Sequence, residues 1–101
     1  MYTYLIRCLD NSLYCGYTTD IDRRISEHKN GVGSKYVSAK GFLKVEIVFK
    51  LKDKSSAMKL ECFIKRLSKK KKEELIEGSI NHLKGCNIKY NIYNNKSNVK
   101  R

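Results

Sequence analysis

Tyr4 closes the triplet Tyr2-Thr3-Tyr4, and Tyr14 opens a second one, Tyr14-Cys15-Gly16. Arg24 and His28 follow four residues apart, and Glu61 is then a lone acid in a strongly basic stretch. Together these groups have the chemistry that phosphodiester hydrolysis needs. The reaction must neutralise charge on the non-bridging oxygens, activate a water and stabilise the leaving oxygen. Arg24 is a permanent cation whose planar fork suits phosphate oxygens. Glu61 is the kind of carboxylate that holds a hard cation together with water and the substrate's own oxygens. One such carboxylate argues for one ion, Mg²⁺ or Mn²⁺. For the general base there are two candidates. A free tyrosine titrates near pKa ~10 and needs help at neutral pH, whereas histidine starts near ~6.5. The residues alone do not rank Tyr4 against His28.

Each of these residues also has an ordinary use. Strand tyrosines are commonly core aromatics. Arg24, beside Arg23, reads equally as part of a solvated face, and His28 as a side chain drawn to the negative end of a helix. Glu61 stands four residues before Lys65, the favoured order for a helical ion pair, and Gly16 relieves crowding in a strand. Only the joint order of the set favours chemistry.

The elements that must position them read β-β-α-β-α. Residues 2–8 (YTYLIRC) and 12–17 (SLYCGY) are aromatic and aliphatic runs joined by Asp10-Asn11-Ser12, a hairpin pattern. Thr19 or Asp20 can cap a first helix that runs to about Asn30 and stops at Gly31, with Ile21 and Ile25 on its inner stripe. Arg24 and His28 fall on or beside that stripe. Residues 31–41 read as a loop and 42–51 as a third strand. A second helix extends from Ser55 or Ser56 to about Glu77, with Ala57, Leu60, Ile64 and Leu67 turned inward. The expected architecture is α/β, a three-stranded mixed sheet flanked by helices. The asparagine-rich residues 79–101, with a frayed end from Lys96 to Arg101, read as a partly ordered or disordered extension of a domain spanning 1–78.

The chain carries 22 Lys+Arg against 10 Asp+Glu, a formal net charge of +12 on 101 residues. Such an excess points to a polyanionic partner. Lys65, Arg66 and Lys69 to Lys72 form the densest cationic run, and Lys35, Tyr36 and Lys40 extend it. About four phosphate contacts would give a slope of log K against log salt near −3.6. No stretch approaches the ~20 apolar residues of a membrane span, and the N-terminus lacks the apolar run of a secretory signal. Cys8, Cys15, Cys62 and Cys86 never form a C-x-x-C pair, which argues against structural zinc. Reduced thiols and an intracellular setting, cytoplasmic or nucleoid-associated, are the expectation. Cys8 and Cys62 read as small buried hydrophobes.

The residues resemble the GIY-YIG nuclease superfamily, in its small stand-alone single-domain subgroup. Tyr2-Thr3-Tyr4 and Tyr14-Cys15-Gly16 match the two signature triplets. Asp22-Arg23-Arg24-Ile25-Ser26-Glu27-His28 matches the helix in which an arginine precedes a histidine or tyrosine by four residues. Gly33-Ser34-Lys35-Tyr36 is similar to the subgroup's loop, and Glu61 with Ile64-Lys65 to its final motif. The resemblance implies a β-β-α-β-α fold and a metal-dependent endonuclease, with Tyr4 and Tyr14 ordering or deprotonating the attacking water. Tyr4, Tyr14, Arg24, His28 and Glu61 are then the catalytic set and Glu61 the metal ligand. Tyr17, Lys35, Tyr36, Lys65, Arg66, Lys69 and Lys70 are the expected nucleic-acid contacts. DNA is the expected partner, branched or single-stranded and recognised by shape or backbone, with a protein partner selecting the target. A non-catalytic nucleic-acid-binding module on the same scaffold is the alternative.

Overall fold

The computed structural model describes residues 1–95; the basic end from Lys96 to Arg101 lies outside the described residues. Strands β1 (Tyr2–Cys8) and β2 (Leu13–Thr18) form the expected hairpin. Its turn works because Asn11 accepts a positive φ of 73° and the Asp10 carboxylate accepts from the Ser12 amide at 3.0 Å. Helix α1 (Ile21–Lys29) starts where Asp20 accepts from the Arg23 amide, and Asn30 caps its end.

Residues expected to be loop contain a second short helix, α2 (Lys35–Lys40), capped by Ser34. One buried residue, Val37, anchors its six residues, too few to show a period. Strand β3 (Phe42–Lys50) follows, and the buried run Glu46 to Phe49 marks a strand covered on both faces rather than an alternating one.

The expected single long helix is two. Helix α3 (Lys54–Lys65) is capped by Asp53, and α4 (Lys69–Ile76) by Ser68, whose hydroxyl accepts from the Lys71 amide. The apolar stripe lapses across the lysines after Leu67 and resumes at Leu75 and Ile76. The chain breaks at Ser68 and turns both stretches inward. Beyond Gly78, a 3₁₀ turn (Ile80–Cys86) and strand β4 (Asn91–Asn95) complete the fold.

The sheet therefore has four strands, ordered β2-β1-β3-β4, and every neighbouring pair is antiparallel. This corrects the three-stranded mixed sheet. Strands β2 and β3 do run parallel, as their helical crossover leads one to expect, but β1 lies between them and no parallel ladder forms. The fourth strand escapes notice because asparagine is poor in strands and because Ile92 and Tyr93 are exposed there.

The sheet separates two apolar cores. Leu5, Cys15, Ile47 and Phe49 meet α3, α4 and the 3₁₀ turn through Leu60, Ile64, Leu75 and Leu83. On the other face Tyr4, Ile6 and Val48 meet Ile21 and Val37 of α1 and α2. Cys8 is buried as expected, whereas Cys62 is exposed on the outer face of α3. Among the described residues no helix is long and apolar enough to cross a membrane.

Candidate active site

The hairpin register brings the two signature triplets together. Tyr4 lies directly opposite Gly16, and Ile6 opposite Tyr14. Alternation then puts Tyr4, Tyr14 and Gly16 on the α1 face and Cys15 and Tyr17 on the α3 face. Because Gly16 has no side chain, the fully buried Tyr4 ring passes across edge strand β2. A Cβ at position 16 would stand 2.7 Å from the Tyr4 hydroxyl and 2.9 Å from Cζ. Gly16 thus opens a path for a phenol rather than merely relieving the strand.

The hydroxyl emerges beside α1. Its oxygen lies 2.8 Å from His28 Nε2, and His28 is only 1% exposed. Tyr14 meets the His28 ring edge-on at 5.5 Å and stacks on Tyr36 of α2 at 5.8 Å, so α2 buttresses the second tyrosine. Gly33 closes the far side of the imidazole: a Cβ there would sit 2.6 Å from Nδ1. Among the described residues two buried nitrogens have no hydrogen-bond partner, His28 Nδ1 and Arg24 Nε. The Glu27 carboxylate comes within 3.0 Å of Arg24 Nε but off the line of its N–H.

Electrostatics sharpen the roles these groups can take. Burial pushes the Tyr4 phenol well above its ordinary range; Tyr14 adds to the rise and the Arg24 guanidinium opposes it. Burial also lowers the His28 pKa, helped by Arg24 and opposed by Glu27. At neutral pH the pair is a neutral phenol against a neutral imidazole. Behind the cleft, burial and then the Glu61 charge push the Cys15 thiol up to about 12, so it is not a nucleophile.

A cleft of about 400 Å³ opens over the edge of β2, and Tyr4, Tyr14, Arg24 and Glu61 all line it. Arg24 reaches it from the α1 face and Glu61 from the α3 face, so the edge strand lets both sides of the sheet converge. Glu61 is half-buried and pairs with Lys65 at 3.0 Å, so its ordinary helical role and its place in the cleft coexist. That pairing raises the Lys65 pKa.

The expected nucleic-acid contacts divide. Tyr17 lines the cleft, Tyr36 backs Tyr14, and Lys65 holds Glu61. Lys35, Arg66 and Lys70 are exposed but do not line it. Lys69 is engaged with Glu73 at 2.7 Å, and Lys40 with Asp10 at 3.3 Å. Met1, Thr18, Thr19, Arg23 and Lys54 line the cleft without having been singled out. Only Lys54 had a signal, a cation just after the Asp53 cap and on the same helix as Glu61.

Residues 1–74 match the GIY-YIG catalytic domain. A UPF0213 protein of Vibrio cholerae is 47% identical over 78 residues, covering 76% of this chain and 77% of the relative. One of Vibrio campbellii is 49% identical over 76 residues, covering 75% and 73%. The solution structure of a UPF0213 protein from Bacillus halodurans superposes with a TM-score of 0.50 at 37% identity, over 87% of this chain and 97% of that one. With both signature tyrosines, the arginine and the glutamate around one cleft, and with the match spanning that whole constellation, the chain belongs to the GIY-YIG nuclease superfamily.

Proposed function

We propose that the protein is an intracellular, cytoplasmic or nucleoid-associated, metal-dependent DNA endonuclease. It hydrolyses phosphodiester bonds on flexible, branched or single-stranded DNA, directed by structure and backbone rather than base sequence, with a protein partner choosing the target. One observation carries this reading: phenols, guanidinium and carboxylate from three separate segments share one cleft.

The donor set fits a hard cation. Glu61 offers one accessible carboxylate, and the described residues hold no cluster of three His, Cys, Asp or Glu side chains able to take a metal. One Mg²⁺ or Mn²⁺ that keeps its waters and binds phosphate oxygens asks for no more. Glu61 would hold it, and when bound it supplies charge at the phosphoryl and leaving oxygens.

The chain's own groups account for the proton. In the imidazole tautomer protonated at Nδ1, His28 Nε2 accepts the Tyr4 hydroxyl proton across their 2.8 Å contact. The attacking water gives its proton to the Tyr4 oxygen in the same step, so Tyr4 ends neutral and His28 becomes imidazolium. A new P–O bond forms from water, the scissile P–O bond breaks, and the leaving oxygen is protonated from solvent. The relay asks no phenolate of Tyr4, whose raised pKa disfavours one. It asks a free base of His28, whose lowered pKa supplies one. Tyr14 limits the water's position, and Arg24 takes the non-bridging oxygens.

Nicking of supercoiled plasmid with and without Mg²⁺ or Mn²⁺ is the test. Glu61→Ala and Arg24→Ala are expected to cut the rate by on the order of 10²–10³ with unchanged circular dichroism. Equal rates for both variants and the parent would end the nuclease reading. Tight, salt-sensitive binding with no metal-dependent product would leave a binding module on this scaffold.

A further inference from the structure

A hollow of about 670 Å³ lies at the C-terminal end of β3, away from the hairpin tyrosines. Leu51, Ile88 and Tyr90 give it an apolar floor, and Lys50, Lys52 and Lys89 stand around it. Tyr90 is held edge-on against Phe49 at 5.3 Å, so this aromatic is fixed by the core. An adjoining hollow shares Lys52, Ile88 and Lys89 and adds Lys59.

Charge identifies the class of occupant. No acid lines either hollow. Among the described residues, no carboxylate is within ion-pair distance of Lys50, Lys52, Lys59 or Lys89. The neighbouring Asp53 caps α3 through the Ser56 amide at 2.8 Å. Cations without a direct carboxylate partner around an apolar floor, with Asp53 acting on Lys52 and Lys59 from beyond ion-pair distance, suit a ligand that carries phosphates and exposed bases at once. A duplex hides its bases and would leave the floor without a partner. The chain's own last six residues, KSNVKR, hold three cations and no acid, so charge disfavours them as occupant.

The hollow and the cleft are neighbours along the chain. Lys54 lines the cleft and Lys52 the hollow, two residues apart on one connection. The Leu51 amide donates to the Met1 carbonyl at 2.8 Å, tying that connection to another cleft residue. A strand leaving the cleft past Met1 and Lys54 meets Lys52 next.

We propose that the Lys50–Lys52–Lys89 groove binds a single-stranded DNA arm running out of the cleft, making the preferred substrate a duplex with a single-stranded tail. This rests on the nuclease reading for what happens in the cleft. The groove itself is read from binding alone. The experiment compares a fluorescein-labelled blunt duplex with the same duplex bearing a thymine tail, by anisotropy across a salt series without metal. Parent protein is set against the triple variant Lys50→Ala, Lys52→Ala, Lys89→Ala.

The parent should bind the tailed duplex more tightly and with the steeper salt dependence. The triple variant should lose that preference by roughly tenfold or more at ~0.1 M salt, its slope falling by about 2 for three single-strand contacts. Blunt-duplex binding should stay as in the parent. A parent indifferent to the tail, or a variant that keeps the parent's preference and slope, overturns the groove. Absence of cleavage counts against the nuclease reading instead, because these measurements need no turnover.

Discussion

Two buried polar clusters hang from strand β1, three residues apart and on opposite faces of the sheet. On the α4 side Arg7 is fully engaged. Its Nε donates to Glu46 at 2.8 Å, and its two terminal nitrogens reach both Glu73 oxygens at 2.5 and 2.6 Å. On the α1 side Tyr4 meets His28, but His28 Nδ1 has no hydrogen-bond partner among the described residues, and Arg24 Nε has only a poorly aligned Glu27 carboxylate at 3.0 Å. The first cluster satisfies its charges within the fold and clamps α4 to the sheet. The second leaves those two nitrogens unfinished; its Tyr4 and Arg24 line the cleft, whereas His28 does not. A buried group without a partner costs about 1–3 kcal/mol, and His28 Nδ1 carries such a cost in the second cluster. One cluster thus holds helix to sheet, and the other is the one whose groups the proposed chemistry uses.

The largest test removes the two arginines in turn. Arg7→Met leaves Glu46, which is 5% exposed, with only the distant Lys44 ammonium at 3.9 Å as a counter-charge. Loss of one partner of a buried pair costs about 3–5 kcal/mol, so the melting temperature should fall by roughly 12 °C or more. Arg24→Met removes only a partly exposed ion pair, in which Nε faces Glu27 without hydrogen-bond alignment. Its cost should stay below about 1 kcal/mol, with thermal denaturation nearly unchanged. Equal drops in the two variants would erase the distinction between clamp and cleft.

A smaller perturbation sharpens the cleft side. Gly16→Ala places a Cβ against the Tyr4 hydroxyl and Cζ, and the phenol must move for it to fit. Misplacing a reacting group by about 1 Å can cost on the order of 10² in rate. We expect that loss in nicking at saturating DNA, with affinity for DNA held. A parental rate in a folded Gly16→Ala protein would show that Tyr4 is not where the proton goes.

The grouping of Tyr4, Tyr14, Arg24 and Glu61 around one cleft was more legible than the fold that brings them there, although His28 does not line that cleft. Tyr4, Tyr14, Arg24 and Glu61 were readable because each answers a chemical demand and their order survives any loop length. The hairpin was readable because Asp10-Asn11-Ser12 leaves few alternatives. Strand β4 was hidden, since an edge strand takes its stability from backbone bonds to β3 that leave no side-chain period. The break at Ser68 was hidden too. A serine in a lysine-rich run resembles a helix surface until Leu75 and Ile76 must reach the core. The role of Gly16 needed the register, because only the Tyr4–Gly16 pairing shows that a phenol crosses there. Lys50, Lys52 and Lys89 come together through folding alone, 37 residues separating the last two.

Acid should take the two clusters apart in sequence, which is the finest test of their difference. The folded pKa of His28 lies below its usual value, chiefly through burial. The unfolded chain therefore binds more protons at this site below pH ~6.5, so the stability a neutral His28 supplies declines from that value downward, while the folded protein keeps its free base until pH falls through the lower folded value. The Arg7 hydrogen bond holds the Glu73 carboxyl down to about 2, against an ordinary 4.5. Its contribution persists above the ordinary value and is lost only as pH drops from there toward the folded one. Nicking should thus persist below about pH 6.5 and decline only further down, while near-ultraviolet dichroism holds, and tertiary signal should fade below about pH 4.5. His28→Asn should remove the first step, and Arg7→Met should move the second toward neutrality. One coincident transition for rate and structure would mean that the two clusters titrate as a single body, and that the face carrying Tyr4 is no more poised for chemistry than the face carrying Arg7.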